Sequence, residues 1–400
     1  MKKCDRIVVI STQFRYTFFD IKKLLNIKSI YEACCFKEKR KGDKKMKNLV
    51  VVGGGYGGMR ILARFLPNQL PDDVMITLID RNPYHCLKTE YYALAAGTIS
   101  DQDVRVTFPE HQGLEITYGE VKGFDLEEKK VLLKDAKPIH YDDLIIGLGC
   151  EDNYHNVPGA AENTLSIQSI EKSRETYKVL NDLPPGSTVS IVGAGLSGVE
   201  LASELRESRS DLNIKLFDRG QHILSAYPVR LSKYVEEWFN TNGVEIVSES
   251  NITKVEPNIL YNHDETIKSD AIVWTAGIQP NIVVREMPVE KDGNGRIIIT
   301  PHHNIPNNEH VYVVGDCASL PHAPSAQLAE GQAEQIVEIL LKRWNNEELP
   351  ESMPTIKLKG ILGSLGKKHG FGLVAERPVT GRFARFIKSG ILWLYKYHNA

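Results

Sequence analysis

Gly53-Gly54-Gly55-Tyr56-Gly57-Gly58 and Gly193-Ala194-Gly195-Leu196-Ser197-Gly198 are two copies of one chemical device, a G-x-G-x-x-G loop repeated 140 residues apart. Glycine at the first position permits a tight turn, at the second it lets backbone approach a pyrophosphate, and at the third it lets a helix pack closely on a strand. The first loop follows a strand, Leu49 to Val52, and opens a helical stretch, Met59 to Phe65, whose N-terminus faces the phosphates. A second strand, Val74 to Ile79, ends in Asp80, 22 residues after Gly58, where a carboxylate accepts hydrogen bonds from a ribose. The second loop has the same setting: strand Thr188 to Val192, helix Val199 to Arg206, strand Ile214 to Phe217, and Asp218 placed 20 residues after Gly198. Two complete fingerprints imply two dinucleotides bound at once. Asp218 welcomes a 2′-hydroxyl and repels a 2′-phosphate, which favours NADH over NADPH.

Further motifs carry a family resemblance. Tyr141-Asp142-Asp143-Leu144-Ile145-Ile146-Gly147-Leu148-Gly149 and Ile272-Val273-Trp274-Thr275-Ala276-Gly277-Ile278-Gln279-Pro280-Asn281 look like the two crossover strands of two-dinucleotide flavoproteins, and Val311-Tyr312-Val313-Val314-Gly315-Asp316 resembles their second flavin motif. From Met46 to about Gly381 the chain resembles the pyridine nucleotide:disulfide oxidoreductase superfamily. That resemblance implies an α/β fold with two Rossmann-like dinucleotide-binding domains, FAD on the first and NADH on the second, followed by a C-terminal amphipathic region. The disulfide-reductase branch is excluded, because no close cysteine pair follows Met46. Cys86 lies six residues after Asp80 but lacks the Ser-Phe-x-x-Cys setting of the single-cysteine branch, and Cys317 reads as packing.

Asn82-Pro83-Tyr84-His85, followed by Ala93-Leu94-Ala95-Ala96-Gly97, is similar to the type II NADH dehydrogenases, single-chain flavoproteins that pass electrons from NADH through FAD to a membrane quinone. This resemblance implies a cofactor-binding set of Gly53, Gly54, Gly55, Tyr56, Gly57, Gly58, Asp80, Arg81, Lys88, Val121, Gly149, Asp316, Ala326 and Gln327 with Gly193, Gly195, Gly198, Glu200, Asp218 and Gly277. Glu200 and Gln327 are its expected catalytic residues, and no metal is implied. Glu200 matches the acid beside the nicotinamide; a helix-start carboxylate stabilised by the macrodipole is the alternative reading. Ser325 reads as the N-cap of a helix from Ala326 to about Arg343, whose positive end the family points at the flavin pyrimidine. The same helix departs from the family. Where quinone reductases typically show Ala-Gln-x-Ala-x-Gln-Gln-Gly, this chain reads Ala326-Gln327-Leu328-Ala329-Glu330-Gly331-Gln332-Ala333, with Gly331 replacing a tunnel glutamine.

The elements that must position these residues divide into an FAD domain of 46–155 and 280–322, an NADH domain of 156–279 and a C-terminal interface region of 323–400. Residues 382–397 mix cations with large apolar side chains, a composition typical of interfacial helices. A membrane surface is one expected partner for residues 382–400; a homodimer contact or docking against the core is the other. The 42% apolar and 25% charged composition is ordinarily globular, and no apolar run reaches the 18 or so residues of a spanning helix.

The net charge of −2 is a sum of unlike parts. Residues 1–45 carry 13 Lys or Arg against five acids, +8, so the remaining 355 residues carry −10. No nucleic-acid partner is expected. Lys41-Gly42-Asp43-Lys44-Lys45-Met46 can be encoded by a purine-rich ribosome-binding sequence ahead of a start codon, so translation is expected to begin at Met46, with residues 1–45 a non-native extension. The leading functional expectation is NADH:quinone oxidoreduction in the cytoplasm, peripheral on the inner face of the membrane. The alternatives are a soluble NADH-dependent reductase using oxygen, peroxide or a small disulfide through Cys86, and a low-turnover flavin-bearing redox sensor.

Overall fold

The first strand, β1 (Lys47–Val52), is buried over its last four residues, the signature of a parallel strand covered on both faces. The structure, a computed structural model, describes residues 46–399, so the expectation about residues 1–45 lies outside the described residues. After β1 come helix α1 (Tyr56–Phe65) and strands β2 (Val74–Asp80), β3 (Leu114–Tyr118) and β4 (Asp143–Ile146). The second fold holds β5 (Leu165–Ser166), β6 (Thr188–Val192), helix α2 (Leu196–Ser208), β7 (Asn213–Phe217), β8 (Val244–Val247) and β9 (Ala271–Trp274). The chain then returns through β10 (Asn304–Ile305), β11 (Asn308–Val313) and helix α3 (Ala326–Trp344). It ends in a meander, β12 (Gly360–Leu365), β13 (His369–Val374) and β14 (Arg377–Thr380), and helix α4 (Gly381–Asn399).

The first sheet has the order β10-β11-β4-β1-β2-β3 and the second β5-β9-β6-β7-β8. In both, the glycine loop leaves a central strand whose parallel neighbours lie on opposite sides: β1 between β2 and β4, β6 between β7 and β9. Such a switch point leaves a crevice at the strand ends, where doubly wound sheets hold their ligands. The two crossovers are zipped together, Cys150–Asp152 pairing antiparallel with Ile278–Pro280.

Helices α1 and α2 begin three residues earlier than the sequence suggests. Gly55 and Gly195 are extended N-caps that make no side-chain hydrogen bond. Each helix therefore starts inside its glycine motif, with no side chain of the N-cap residue capping its first N–H groups. Helix α3 is capped by Ser325, whose Oγ accepts from Leu328 N at 3.2 Å, and it packs on α1 in the core with Ile336, Ile339 and Leu340.

Candidate active site

The two glycine loops are superposable in their chemistry. Gly53 and Gly193 sit at φ +98° and +103°, a region that penalises any Cβ. A Cβ placed on Gly55 or on Gly195 meets nothing within 4 Å. Those are the positions where a pyrophosphate must approach, and the space for it is open. Asp80 closes the first loop by accepting from Gly54 N and Asn82 N, each at 2.7 Å. Asp218 repeats this on the second fold, accepting from Ala194 N at 2.9 Å and Gly220 N at 2.8 Å. Burial pushes the Asp80 carboxyl up, and the N–H groups of Asn82 and Gly54 pull against it.

Around the first crevice, Asp316 stands in the turn after β11, which is fixed by Gly315 N donating to Gln332 Oε1 at 2.8 Å. Lys88 Nζ donates to Cys150 Sγ at 2.9 Å. Burial alone would lower the Lys88 ammonium, but Cys150 and Asp316 outweigh it and the pKa is raised. Gly149 is open on its Cβ side, and Val121 is buried at the start of a hairpin. These residues, the open Gly55 cradle and the N-terminal end of α3 fit an FAD. Arg81 instead pairs with Glu171 at 3.9 Å, its side chain 59% exposed. The Gln327 side chain is committed elsewhere: its Nε2 donates to Gly360 O at 2.9 Å and its Oε1 accepts from Lys359 N at 2.6 Å. Its backbone lies in the first turn of α3.

Glu200 is the fifth residue of α2 and only 4% exposed. It is not a solvated helix-start carboxylate. Lys388, from α4, forms a buried ion pair with it, and Ser364 N donates to its Oε1 at 2.9 Å. Lys388 also donates to Tyr92 Oη at 2.8 Å and lies 4.0 Å from buried Glu90. Burial disfavours the Lys388 charge, yet Glu200 and Glu90 hold its pKa above the ordinary lysine value. Gly277, at φ +130°, lies three residues beyond the end of β9, just before the crossover pair formed by Ile278–Pro280.

The other end of α4 reaches the first loop. His85 Nδ1 meets Gly54 O at 2.8 Å, and a carbonyl can only accept, so Nδ1 carries the proton and Nε2 accepts from Tyr395 Oη at 3.0 Å. Burial lowers the His85 pKa to about 4, so the ring is neutral. Sequence reasoning singled out none of Glu90, Ser364, Lys388 and Tyr395 and placed His85 only within a similar segment; a cation inside the apolar stretch 386–395 was the one local sign. Cys86 is strand-bound, and burial pushes its thiol up to about 11, the wrong direction for a nucleophile.

A family model for pyridine nucleotide-disulphide oxidoreductases matches residues 47–333. The chain belongs to that family. It is 71% identical to the NADH dehydrogenase-like protein YutJ of Bacillus subtilis, over 88% of this chain and 100% of that one. It is 27% identical to the type II NADH:quinone oxidoreductase of Haemophilus influenzae, covering 88% and 94% of the two chains. A solved structure of NDH2 from Plasmodium falciparum in complex with NADH shares the fold, with TM-score 0.76, 15% identity and coverage of 88% and 96%. The protein is thus an FAD-containing NADH oxidoreductase of two Rossmann-like folds.

Proposed function

We propose that this oxidoreductase passes electrons from NADH through FAD to a quinone in the membrane, without pumping protons. The observation that carries the reading is α4. One face is fastened to the site through Lys388 and Tyr395. The other exposes Phe383, Phe386, Ile391, Trp393, Leu394 and Tyr397, at 65, 75, 56, 63, 48 and 68%. Arg382 and Lys396, fourteen residues apart, lie along one edge of this row. No helix among the described residues is long and apolar enough to cross a membrane. An apolar stripe bordered by cations suits the headgroup boundary of anionic lipids, and it would hold the site beside a lipid-soluble acceptor.

Bound FAD supplies the two-electron exchange, in the net reaction NADH + H⁺ + quinone → NAD⁺ + quinol. The chain's own groups bind and orient. The uncapped start of α2 receives the NADH pyrophosphate, Asp218 accepts from the adenosine ribose, and Glu200 is held fixed on α2. The start of α3 presents its partial positive charge to the flavin. Gly53–Gly58, Asp80, Lys88, Val121, Gly149 and Asp316 hold FAD. Gly193, Gly195, Gly198, Asp218 and Gly277 hold NADH.

The test is anaerobic reduction by NADH followed by separate addition of a menaquinone analogue, oxygen and coenzyme A disulfide. Fast reoxidation by the quinone alone is expected; fast reoxidation by the disulfide with slow quinone turnover would overturn the reading. The double variant Phe386→Glu, Trp393→Glu should leave NADH reduction of the flavin unchanged and remove the protein from sedimented vesicles of anionic phospholipid. Asp218→Asn loses the ribose-facing charge and forces an amide N–H against one of the loop's N–H groups. NADH kcat/KM should fall about tenfold, the worth of one charge-assisted hydrogen bond. The NADPH value should fall less or rise, as steady-state kinetics with both nucleotides will show.

A further inference from the structure

Residues 354–367 are laced to two helices from two different folds. Along α3, three positions spaced four residues apart hold the segment. Gln335 Nε2 donates to Pro354 O at 2.6 Å. Gly331 makes room for Ile356, whose Cγ2 lies 2.6 Å from where a Cβ on residue 331 would stand. Gln327 grips Lys359 N and Gly360 O with both ends of its amide. The chain then becomes β12 and meets α2. Ser364 N donates to Glu200 Oε1 at 2.9 Å, Gly366 N to Ser203 Oγ at 3.1 Å, and Lys367 N to Glu207 Oε2 at 2.7 Å. Residues 200, 203 and 207 form one stripe of α2, as 327, 331 and 335 form one stripe of α3.

We propose that residues 354–367 are a tie bar between the FAD-side helix and the NADH-side helix, and that Gln327 is a positioning residue that acts through it on hydride transfer. Hydride transfer needs the nicotinamide carbon and the flavin ring in near-attack geometry, and the two glycine loops that would hold the two cofactors belong to separate sheets. A displacement of about 1 Å between reacting groups costs up to ~100-fold in rate. Gln327 and Glu200 lie on helices of different folds, and β12 joins them through Lys359, Gly360 and Ser364. The same geometry explains Gly331: a side chain there would lift Ile356, and with it the bar, off α3. The inference rests on NADH reducing the flavin and is independent of the acceptor.

The experiment compares Gln327→Met, Gln327→Glu and Gly331→Gln with wild type by amide hydrogen exchange and by anaerobic stopped-flow reduction with NADH. Gln327→Met and Gly331→Gln should both speed exchange at Lys359 and at Ser364. Both should slow flavin reduction at saturating NADH by about ten- to a hundredfold, with the NADH dissociation constant and FAD content near wild type. Gln327→Glu keeps the acceptor for Lys359 N and should recover part of the rate. Unchanged exchange at Ser364, or a slowing confined to the acceptor half-reaction, overturns the proposal in favour of direct contact between Gln327 and the acceptor. Loss of FAD from both variants overturns it in favour of a purely structural role. Failure of NADH to reduce wild type would count against the assigned activity and leave the exchange result to judge the tie bar.

Discussion

Lys388→Met lowers the free energy of unfolding by about 3–5 kcal/mol, the usual cost of removing one partner from a buried ion pair, and the loss shrinks as the pH is lowered. The Lys388 side chain is 11% exposed and the side chains of Glu200 and Glu90 are each 6% exposed. Without the ammonium, two carboxyls share a dry site with Ser364 N and Tyr92 Oη. Burial already pushes the Glu200 pKa up against the pull of Lys388 and Ser364; in the variant that pull is gone and the pKa rises further. A carboxyl whose folded pKa lies above its unfolded value binds more protons when folded, so its stability contribution is present at low pH and lost as the pH rises through the folded value. The variant's deficit should therefore be smallest near the ordinary carboxylate range and grow toward neutrality. Urea unfolding across that range measures it. A deficit that is flat with pH, or that grows on acidification, would mean that Glu200 is not the group left unpaired.

The prediction reaches function because α4 carries both Lys388 and Tyr395, with Arg385 between Ala384 and Lys388 donating to Ser364 Oγ at 3.0 Å. Freeing Lys388 loosens the helix that also supplies Tyr395 to His85, and His85 holds the carbonyl of Gly54. A change at Glu200 on α2 thus reaches the first glycine loop through α4, with the exposed apolar row riding on the same element.

What could be read from the sequence follows from how far apart in the chain each constraint acts. The glycines of 53–58 and 193–198 are dictated by local backbone geometry, positive φ at Gly53 and Gly193 and open approach at Gly55 and Gly195, and local geometry leaves a fixed spacing. Asp80 and Asp218 were legible for the same reason, since Asp80 ends and Asp218 directly follows the strand next to its loop. The pairing of Glu200 with Lys388 spans 188 residues and that of His85 with Tyr395 spans 310. Such contacts have no period and no local motif. Gln327 shows the intermediate case. Its place at the start of α3 was readable from Ser325 and the helical pattern, but the direction of its side chain depends on residues 359–360, which share no pattern with it. The loss of a family glutamine at Gly331 was visible as a letter, and Ile356 supplies its physical meaning.

Asp80→Ala should yield protein that loses FAD during desalting, with affinity for FAD down roughly 100-fold. The Asp80 carboxylate gathers the N–H groups of Gly54 and Asn82, and each charge-assisted hydrogen bond is worth about 1.5–3 kcal/mol. Losing about 3 kcal/mol of loop organisation corresponds to two decades of binding at 1.4 kcal/mol per decade. Asparagine cannot substitute, because its amide would set an N–H against one of the two N–H groups, so Asp80→Asn should behave more like alanine than like wild type. The matched Asp218→Asn change alters the same device on the other fold and should leave FAD bound, which separates local loop collapse from general unfolding. Flavin absorbance per protein after desalting, and fluorescence titration of apoprotein with FAD, read both variants. Stoichiometric FAD retained in Asp80→Ala would show that the loop keeps its shape without the carboxylate, and the first fingerprint would then owe its FAD affinity to the glycines and the α1 N-terminus alone.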